Sequence, residues 1–468
     1  MLSFGIRSSR VRRRLVLWLV SLLALGVLRA QHGEVAGTLP EDYLPPLKAI
    51  LRDASQQSPQ AIEKAIELAQ QEARVYILNS ERLPRLGGSA DFASNETEIS
   101  GQNGTTSRDN GFFYRLELSQ SIFRWGELKH KTALGRLGVL MAEKNYAEAY
   151  RSLAQTLRHS YMALVARKLG LKAARFRYRI AEDELKLARS NFERGTVSPG
   201  VVAGKELEVN EHQVQLAGQE EDFAADLRAF ARLAGLKELT EESIPDGIAR
   251  PAYSSALAKT ILAGILRDGG KFTFEAEMSA LRAQEADLSY RIARVRLLPK
   301  FDVAAIYSLQ NLTTAGPGTV AQTGVAYRTL AARMNWSIFD GLETRGHKLH
   351  ALAGRQLHER KAQLAMEAAV ERAQQLERRL ALDARMVEFG ETRLNMALLG
   401  ERQQRDELQL GNIAEAAIAD AVAHRYDWES RNVSARANFL ARWSEFVSLA
   451  GLDPAMNYLP ARYAREKR

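Results

Sequence analysis

Two long stretches without proline constrain this chain more than any other feature: Glu127 to Glu193 and Glu343 to Glu407. Each keeps apolar residues at steps of three and four. Tyr150, Leu153, Leu157, Tyr161 and Leu164 mark the first, and Met366, Val370, Ala373, Leu376 and Leu380 the second, which is the spacing of a coiled-coil seam. At ~1.5 Å per residue, such a helix reaches about 100 Å, and no ordinary globule holds one so long. The stretches are also copies of one plan. Ser121-Ile122-Phe123 recurs as Ser337-Ile338-Phe339, Gly195 as Gly411, and Leu233-Ala234-Gly235-Leu236 as Leu449-Ala450-Gly451-Leu452, all at an offset of 216 residues. Three landmarks in one register identify a duplication, so an elongated repeat protein is expected.

Ahead of the repeats, Arg7, Arg10, Arg12, Arg13 and Arg14 precede the apolar run Leu15 to Val27, and Ala30 offers a small-residue cleavage site. Residues 1–30 are therefore expected to be a secretory signal peptide. Its six arginines and absence of acids mean that removal lowers the formal charge from +9 to +3, leaving no basic arm for a nucleic acid. Cysteine is absent, which excludes disulfides, thiol chemistry and a lipid-bearing N-terminal cysteine. No later stretch is apolar for the ~18 residues that a membrane helix needs, so a β-barrel is the spanning element left open.

In chain order, residues 31–43 read as polar and loose, Leu44 to Ser55 as a short helix, and Ser58-Pro59 as the start of another that Pro84 ends. The first repeat, 31–236, continues with a β-hairpin over 83–123, a long helix over 125–194 and a short helix over 199–236. Residues 237–270, with Pro245 and Pro251, read as a linker or equatorial segment. The second repeat, 271–452, opens with a helix and has its hairpin over 298–339, its long helix over 342–410 and its short helix over 413–452; the tail 453–468 reads as frayed. Within the hairpins, Tyr114, Leu116, Leu118 and Ile122 alternate with Arg115, Glu117 and Ser119. Phe301, Val303, Ala305 and Tyr307 alternate with Asp302, Ala304 and Ser308, and Leu330, Ala332, Met334, Trp336 and Ile338 with Arg333 and Asn335. This is the period of strands with one apolar face. Residues Ser94 to Gly111 read as a polar loop. Trp125, Trp336 and Phe339 fall near strand ends, where a membrane-interface belt is expected. Four strands have open edges and cannot span a bilayer alone, so closure demands a partner sheet or an oligomer.

Together these features resemble the TolC family of outer-membrane efflux and secretion channels. The resemblance is carried by the leader, the duplicated unit, the strand ending Leu118-Ser119-Gln120-Ser121-Ile122-Phe123 with Gly126 after it, its copy ending Ser337-Ile338-Phe339-Asp340-Gly341, and the turn glycines. It implies a mainly α fold with a small β part: a homotrimer in which four strands per chain close a twelve-stranded β-barrel continued by a periplasmic α-helical barrel. It also implies the outer membrane of a Gram-negative-type cell, contact with outer-membrane lipid, and work with a periplasmic adaptor protein and an inner-membrane transporter of the RND or ABC type. The chain would then be the passive exit duct of a tripartite efflux pump or type I secretion system.

On that plan Arg115, Glu117, Ser119, Arg333 and Asn335 face the barrel lumen, since lipid does not accept a row of charges. Gly195, Thr196 and Val197, with Gly411, Asn412 and Ile413, form the helix-turn tips that meet the adaptor. The family's acidic ring at the entrance follows a turn glycine by six and nine residues. Here Gly411 is followed by Ala417 and Asp420, with Glu415 nearby, and the first repeat has Val201 and Gly204 at those places. Asp420 is thus the matching residue, and a charged latch between the two turns is not expected. The runner-up is an exported periplasmic helical adaptor or scaffold, which would show one helical hairpin inserted into several compact β-domains. No enzyme is expected: Glu182-Asp183-Glu184 and Glu220-Glu221-Asp222 lie on long helices that offer no pocket. His347 and His350 share a helix face without a supporting ligand cluster, so no metal or other cofactor is expected either.

Overall fold

The computed structural model describes residues 38–99, 105–316, 319–410 and 415–460. The expected signal peptide and the expected turn at Gly411, Asn412 and Ile413 lie outside the described residues. The chain divides into two compact units. One comprises residues up to Ile66, Glu143–Glu277 and Ala365 onward; the other comprises Glu67–Ala142 and Met278–Leu364.

The second unit holds the sheet. Strands β1 (Arg85–Ile99), β2 (Thr105–Phe123), β3 (Lys300–Gly316) and β4 (Thr319–Asn335) lie antiparallel in the order β1-β2-β3-β4. They outrun the alternation that announces them. The stretch expected as a loop from Ser94 to Gly111 is mostly ladder, with Asn95 opposite Asp109 and Glu96 opposite Arg108. Polar residues on both faces carry no period-two signal, yet the backbone pairing holds them extended. At the other end of β2, Ser121 pairs with Asp302 but Phe123 pairs with Phe301. The extra residue is Ile122, so this bulge hands the apolar place expected for Ile122 to Phe123. Strand β4 stops at Asn335, short of the expected Phe339, and Trp336, Ile338 and Phe339 are exposed in the link that follows. Beyond β2, Trp125 has a left-handed φ of 51°; its Nε1 donates to Pro299 O at 2.7 Å and its ring lies 4.9 Å from Phe123.

The core lies in the first unit. Here α1 (Pro40–Tyr43), α2 (Pro45–Gln57) and part of α3 (Pro59–Ser80) meet the long helix α4 (Glu127–Glu193), α5 (Pro199–Ala234) and α6 (Ser255–Asp268). The helix α7 (Phe274–Arg294) leads into β3, and β4 is followed by the second long helix α8 (Glu343–Gln409) and by α9 (Glu415–Leu449). The seam residues Tyr150, Leu153, Leu157, Tyr161 and Leu164 are buried, with Ala373, Leu376 and Leu380 of α8 and Phe439, Trp443 and Phe446 of α9 in the same cluster. The repeated Leu-Ala-Gly-Leu is one helix terminus used twice. Gly235 and Gly451 have φ of 76° and 72°, and the next amides, Leu236 and Leu452, donate to Ala231 O and Val447 O at 2.8 and 3.0 Å. That is a Schellman end, which needs a residue tolerant of the left-handed region. At Gly235 a Cβ would also fall 2.4 Å from Gln57 O.

The described parts of two stretches that read as loose, 38–43 and 453–460, are packed, while 31–37 and 461–468 lie outside the described residues. Leu39, in front of α1, and Leu459, beyond the 3₁₀ turn Pro454–Tyr458, are buried. Between them lies Arg158 of α4, whose side chain has no exposed surface. Its Nε donates to Glu41 Oε2 at 2.9 Å, its Nη1 and Nη2 to Asp453 at 2.7 and 2.8 Å, and its Nη1 also to Ser444 Oγ at 2.8 Å. Burial alone would push the guanidinium pKa down. The hydrogen bonds and charge of Asp453, then of Glu41, overcome it and hold the group above its ordinary value. The segment expected as a linker is likewise packed. Ile244 and Ile248 are buried, and Lys168 and Lys172 of α4 each reach Asp246 at 2.8 Å.

Candidate conduction surface and entrance

The strand register sorts side chains into two unlike faces. Arg115, Glu117, Ser119, Asp302, Arg333 and Asn335 share one of them. Glu117 accepts from Arg115 Nη2 at 2.8 Å and from Arg333 Nη1 at 3.2 Å. Nearer the helices, Asp302 accepts from Ser121 Oγ at 2.7 Å, Arg124 Nη2 at 3.0 Å and Asn335 Nδ2 at 3.3 Å. Each carboxylate is thus bracketed by donors from both repeats, which fixes an ordered charged surface rather than a loose wet one. Asp302 and Arg124 are not marked by the sequence as site residues; for Asp302 the available signal is the strand parity, which sets it across from Arg333.

The opposite face carries Leu86, Leu116, Leu118 and Leu330, all exposed, Leu330 to 82%. An apolar face of this extent has no partner among the described residues of the unit. Aromatic residues bound it. At the helix end, Phe123 and Phe301 are paired with ring centroids 6.3 Å apart, and toward the strand tips Phe92 and Phe112 are 4.9 Å apart. Phe123 pairs with Phe301 and Phe112 with Asn311, so the two rows are ten residues apart along β3. At ~3.3 Å per residue and a tilt of ~40°, ten residues rise about 25 Å.

In the first unit, the turn between α4 and α5 presents Gly195 and Thr196 to solvent with Val197 half-buried. Thr196 N and Oγ1 donate to Asn191 O at 2.9 and 2.8 Å. Above it, Arg189–Glu206 at 2.8 Å and Lys205–Glu184 at 2.6 Å tie the two helices; Glu184 and then Glu208 hold the Lys205 ammonium pKa above its usual value. The matching turn of the second repeat lies outside the described residues, as does the side chain of Glu415. Asp420 is exposed on α9 and forms no ion pair among the described residues. Val201 and Gly204 are exposed too, so no carboxylate faces it from those places. Two features near this end have no mark in the sequence. Glu401, buried on α8, is held by Arg425 of α9 at 2.6 Å and by Arg405, and Arg177 of α4 reaches Asp427 of α9 at 2.6 Å, joining the two repeats. Among the described residues no three His, Cys, Asp or Glu side chains gather to hold a metal, and His347 lies 3.3 Å from Glu343 instead.

Residues 50–236 match the family model described as outer membrane efflux protein. In fold the chain is similar to the Campylobacter jejuni CmeC outer membrane channel, with a TM-score of 0.67 at 14% identity, covering 89% of each chain. It is also similar to the open state of the Neisseria gonorrhoeae MtrE outer membrane channel, with a TM-score of 0.62 at 15% identity over 86% of this chain and 88% of that one. For the outer membrane protein VceC of Vibrio cholerae the TM-score is 0.59 at 15% identity, over 88% and 97%. The chain matches no curated protein by sequence.

Proposed function

We propose that this chain, whose residues 50–236 match the outer membrane efflux protein family, works as three copies that close their sheets into one twelve-stranded barrel and conduct solutes passively across the outer membrane. The observation that carries this is the two-faced sheet. Its apolar side is exposed and bounded by aromatic rows about 25 Å apart, the height of the lipid band of a transmembrane barrel, and its polar side holds ordered charge. Lipid on the first side and water on the second satisfy both faces at once. Closure supplies partners for the free edges of β1 and β4.

The helical hairpins then reach the periplasm. Gly195, Thr196 and Val197, with the Gly411, Asn412 and Ile413 turn, meet a periplasmic adaptor, which couples the duct to an inner-membrane transporter of the RND or ABC type. Threefold symmetry brings three copies of Asp420 to the entrance, where unpaired carboxylates attract cations. An adaptor would need several compact β-domains, whereas the described residues carry one sheet. The test is native mass spectrometry of the detergent-solubilised protein together with conductance in planar bilayers. Three-copy particles and discrete long-lived conductance steps are expected; a monomer that never conducts contradicts the proposal.

A further inference from the structure

The apolar face of the sheet carries one charge that a lipid-facing surface does not ordinarily hold. Arg328 of β4 lies opposite Tyr307, Tyr307 opposite Leu116, and Leu116 opposite Gly88, so Arg328 shares the face of the leucines rather than that of Arg115 and Arg333. Between the two aromatic rows it is the one charged side chain on this face among the described residues. It differs from the arginines of the polar face in a second way. Arg115, Arg124 and Arg333 each hold a carboxylate, whereas exposed Arg328 has no hydrogen bond or ion pair among the described residues. A bare guanidinium within an apolar band is costly unless an anion reaches it.

Its place says which anion. Met334 lies in the row of Phe301, and Arg328 is six residues along β4 from it, about 15 Å up a tilted strand. The row of Phe112, which includes Gly324, is four residues farther, about 10 Å. Arg328 is therefore in the half of the band nearer the strand tips, within which its stem can turn the head toward that leaflet's polar groups. It helps to line an open, mostly apolar groove with Leu116, Leu118, Ala305, Tyr307 and Leu330. Tyr307, the cross-strand partner of Arg328, brings a hydroxyl donor to the same lining. An apolar groove whose lining includes a hydroxyl and an unpaired guanidinium is complementary to an acyl chain that ends in a phosphate.

We propose that Arg328 and Tyr307 form a site for the phosphate of an anionic membrane lipid whose acyl chain lies in the adjoining groove. This rests on the barrel reading, because it requires that face to meet lipid. The test uses the full chain purified in neutral detergent and titrated with phosphatidic acid or with phosphatidylcholine of the same chains, counting retained lipid by native mass spectrometry. Wild type retains phosphatidic acid several-fold over phosphatidylcholine. Arg328→Gln brings the two to parity, Arg328→Lys keeps most of the preference, and millimolar inorganic phosphate does not strip the lipid.

Equal retention of both lipids by wild type, or an unchanged preference in Arg328→Gln, overturns the site. So does release by inorganic phosphate, which would mark a site for the free ion. A loss of heat stability in Arg328→Gln that is the same with and without phosphatidic acid would mean that Arg328 pairs with a carboxylate of a second copy, and that also overturns it. Flotation of wild type with phosphatidylcholine vesicles reads the barrel separately. Protein that fails to insert sinks the barrel and this site with it, while protein that inserts without lipid preference sinks the site alone.

Discussion

Replacing Arg158 with methionine keeps much of the apolar stem and removes the guanidinium that Glu41 and Asp453 share. The two carboxylates, whose side chains are only 7% and 1% exposed, are then left buried without their cation. Breaking one partner out of a buried ion pair costs ~3–5 kcal/mol, a large share of the ~5–15 kcal/mol that holds a typical domain. The intact node need not stabilise the fold by that amount, because burying three charges already offsets most of the Coulomb gain. The triple variant Arg158→Met, Glu41→Gln, Asp453→Asn should therefore regain most of the loss, ending within ~2 kcal/mol of the parent. Asn at 453 can still accept the Ala455 amide that Asp453 accepts at 3.0 Å. The assay is denaturant and thermal unfolding followed by far-UV circular dichroism, with hydrogen exchange at residues 38–44 and 453–459 reporting release of the two end segments. A single variant that loses less than ~1 kcal/mol, as a surface pair would, refutes the reasoning. So does a triple variant no better than the single.

Four further substitutions probe the salt bridge at Asp246, the two turn glycines and the entrance. Lys168 and Lys172 push the Asp246 carboxyl down to about 2, so its contribution is present above the ordinary carboxylate pKa of ~3.9 and is lost as pH falls through about 2. With the Asp246 side chain 65% exposed, Asp246→Asn should cost under ~1 kcal/mol at neutral pH; a deficit that persists in denaturant titrations at pH 2 would contradict this. Gly235→Ala meets both a left-handed φ and the Gln57 carbonyl 2.4 Å away, whereas Gly195→Ala meets only the φ of 74°. The first should cost more than ~2 kcal/mol and the second ~1–2 kcal/mol, and equal falls in melting temperature would sink the distinction. Asp420→Ala should lower cation selectivity in planar bilayers and weaken block by a trivalent cation added on the periplasmic side; both unchanged would remove Asp420 from the entrance.

What the sequence reveals follows from what each element needs. The long helices are legible because they exclude proline over their whole length and keep a seam. Leu-Ala-Gly-Leu repeats because both short helices end in the same left-handed cap. Leu116 and Leu118 against Arg115 and Glu117 are legible because one face must be apolar. Where that demand stops, the signal stops: Asn95 and Asp109 pair in a ladder with polar residues on both faces, and Ile122 looks regular although it is the bulged residue. Arg158 reads as a charge beside the seam residue Leu157, since the carboxylates that bury it lie 117 and 295 residues away in the chain. No local pattern encodes such a contact. The same holds for Arg124 with Asp302 and for Arg177 with Asp427.

Because the chain contains no cysteine, the two faces of the sheet can be read one residue at a time. Leu116→Cys, Glu117→Cys and Leu118→Cys each place a single thiol at successive positions of β2, and a membrane-impermeant thiol reagent then reports which of them meet water in the membrane-inserted protein. Labelling is expected to be fast at 117, where the side chain faces a water-filled lumen, and slow at 116 and 118, which face lipid. Equal labelling at all three, or protection at 117 with labelling on either side, would contradict it.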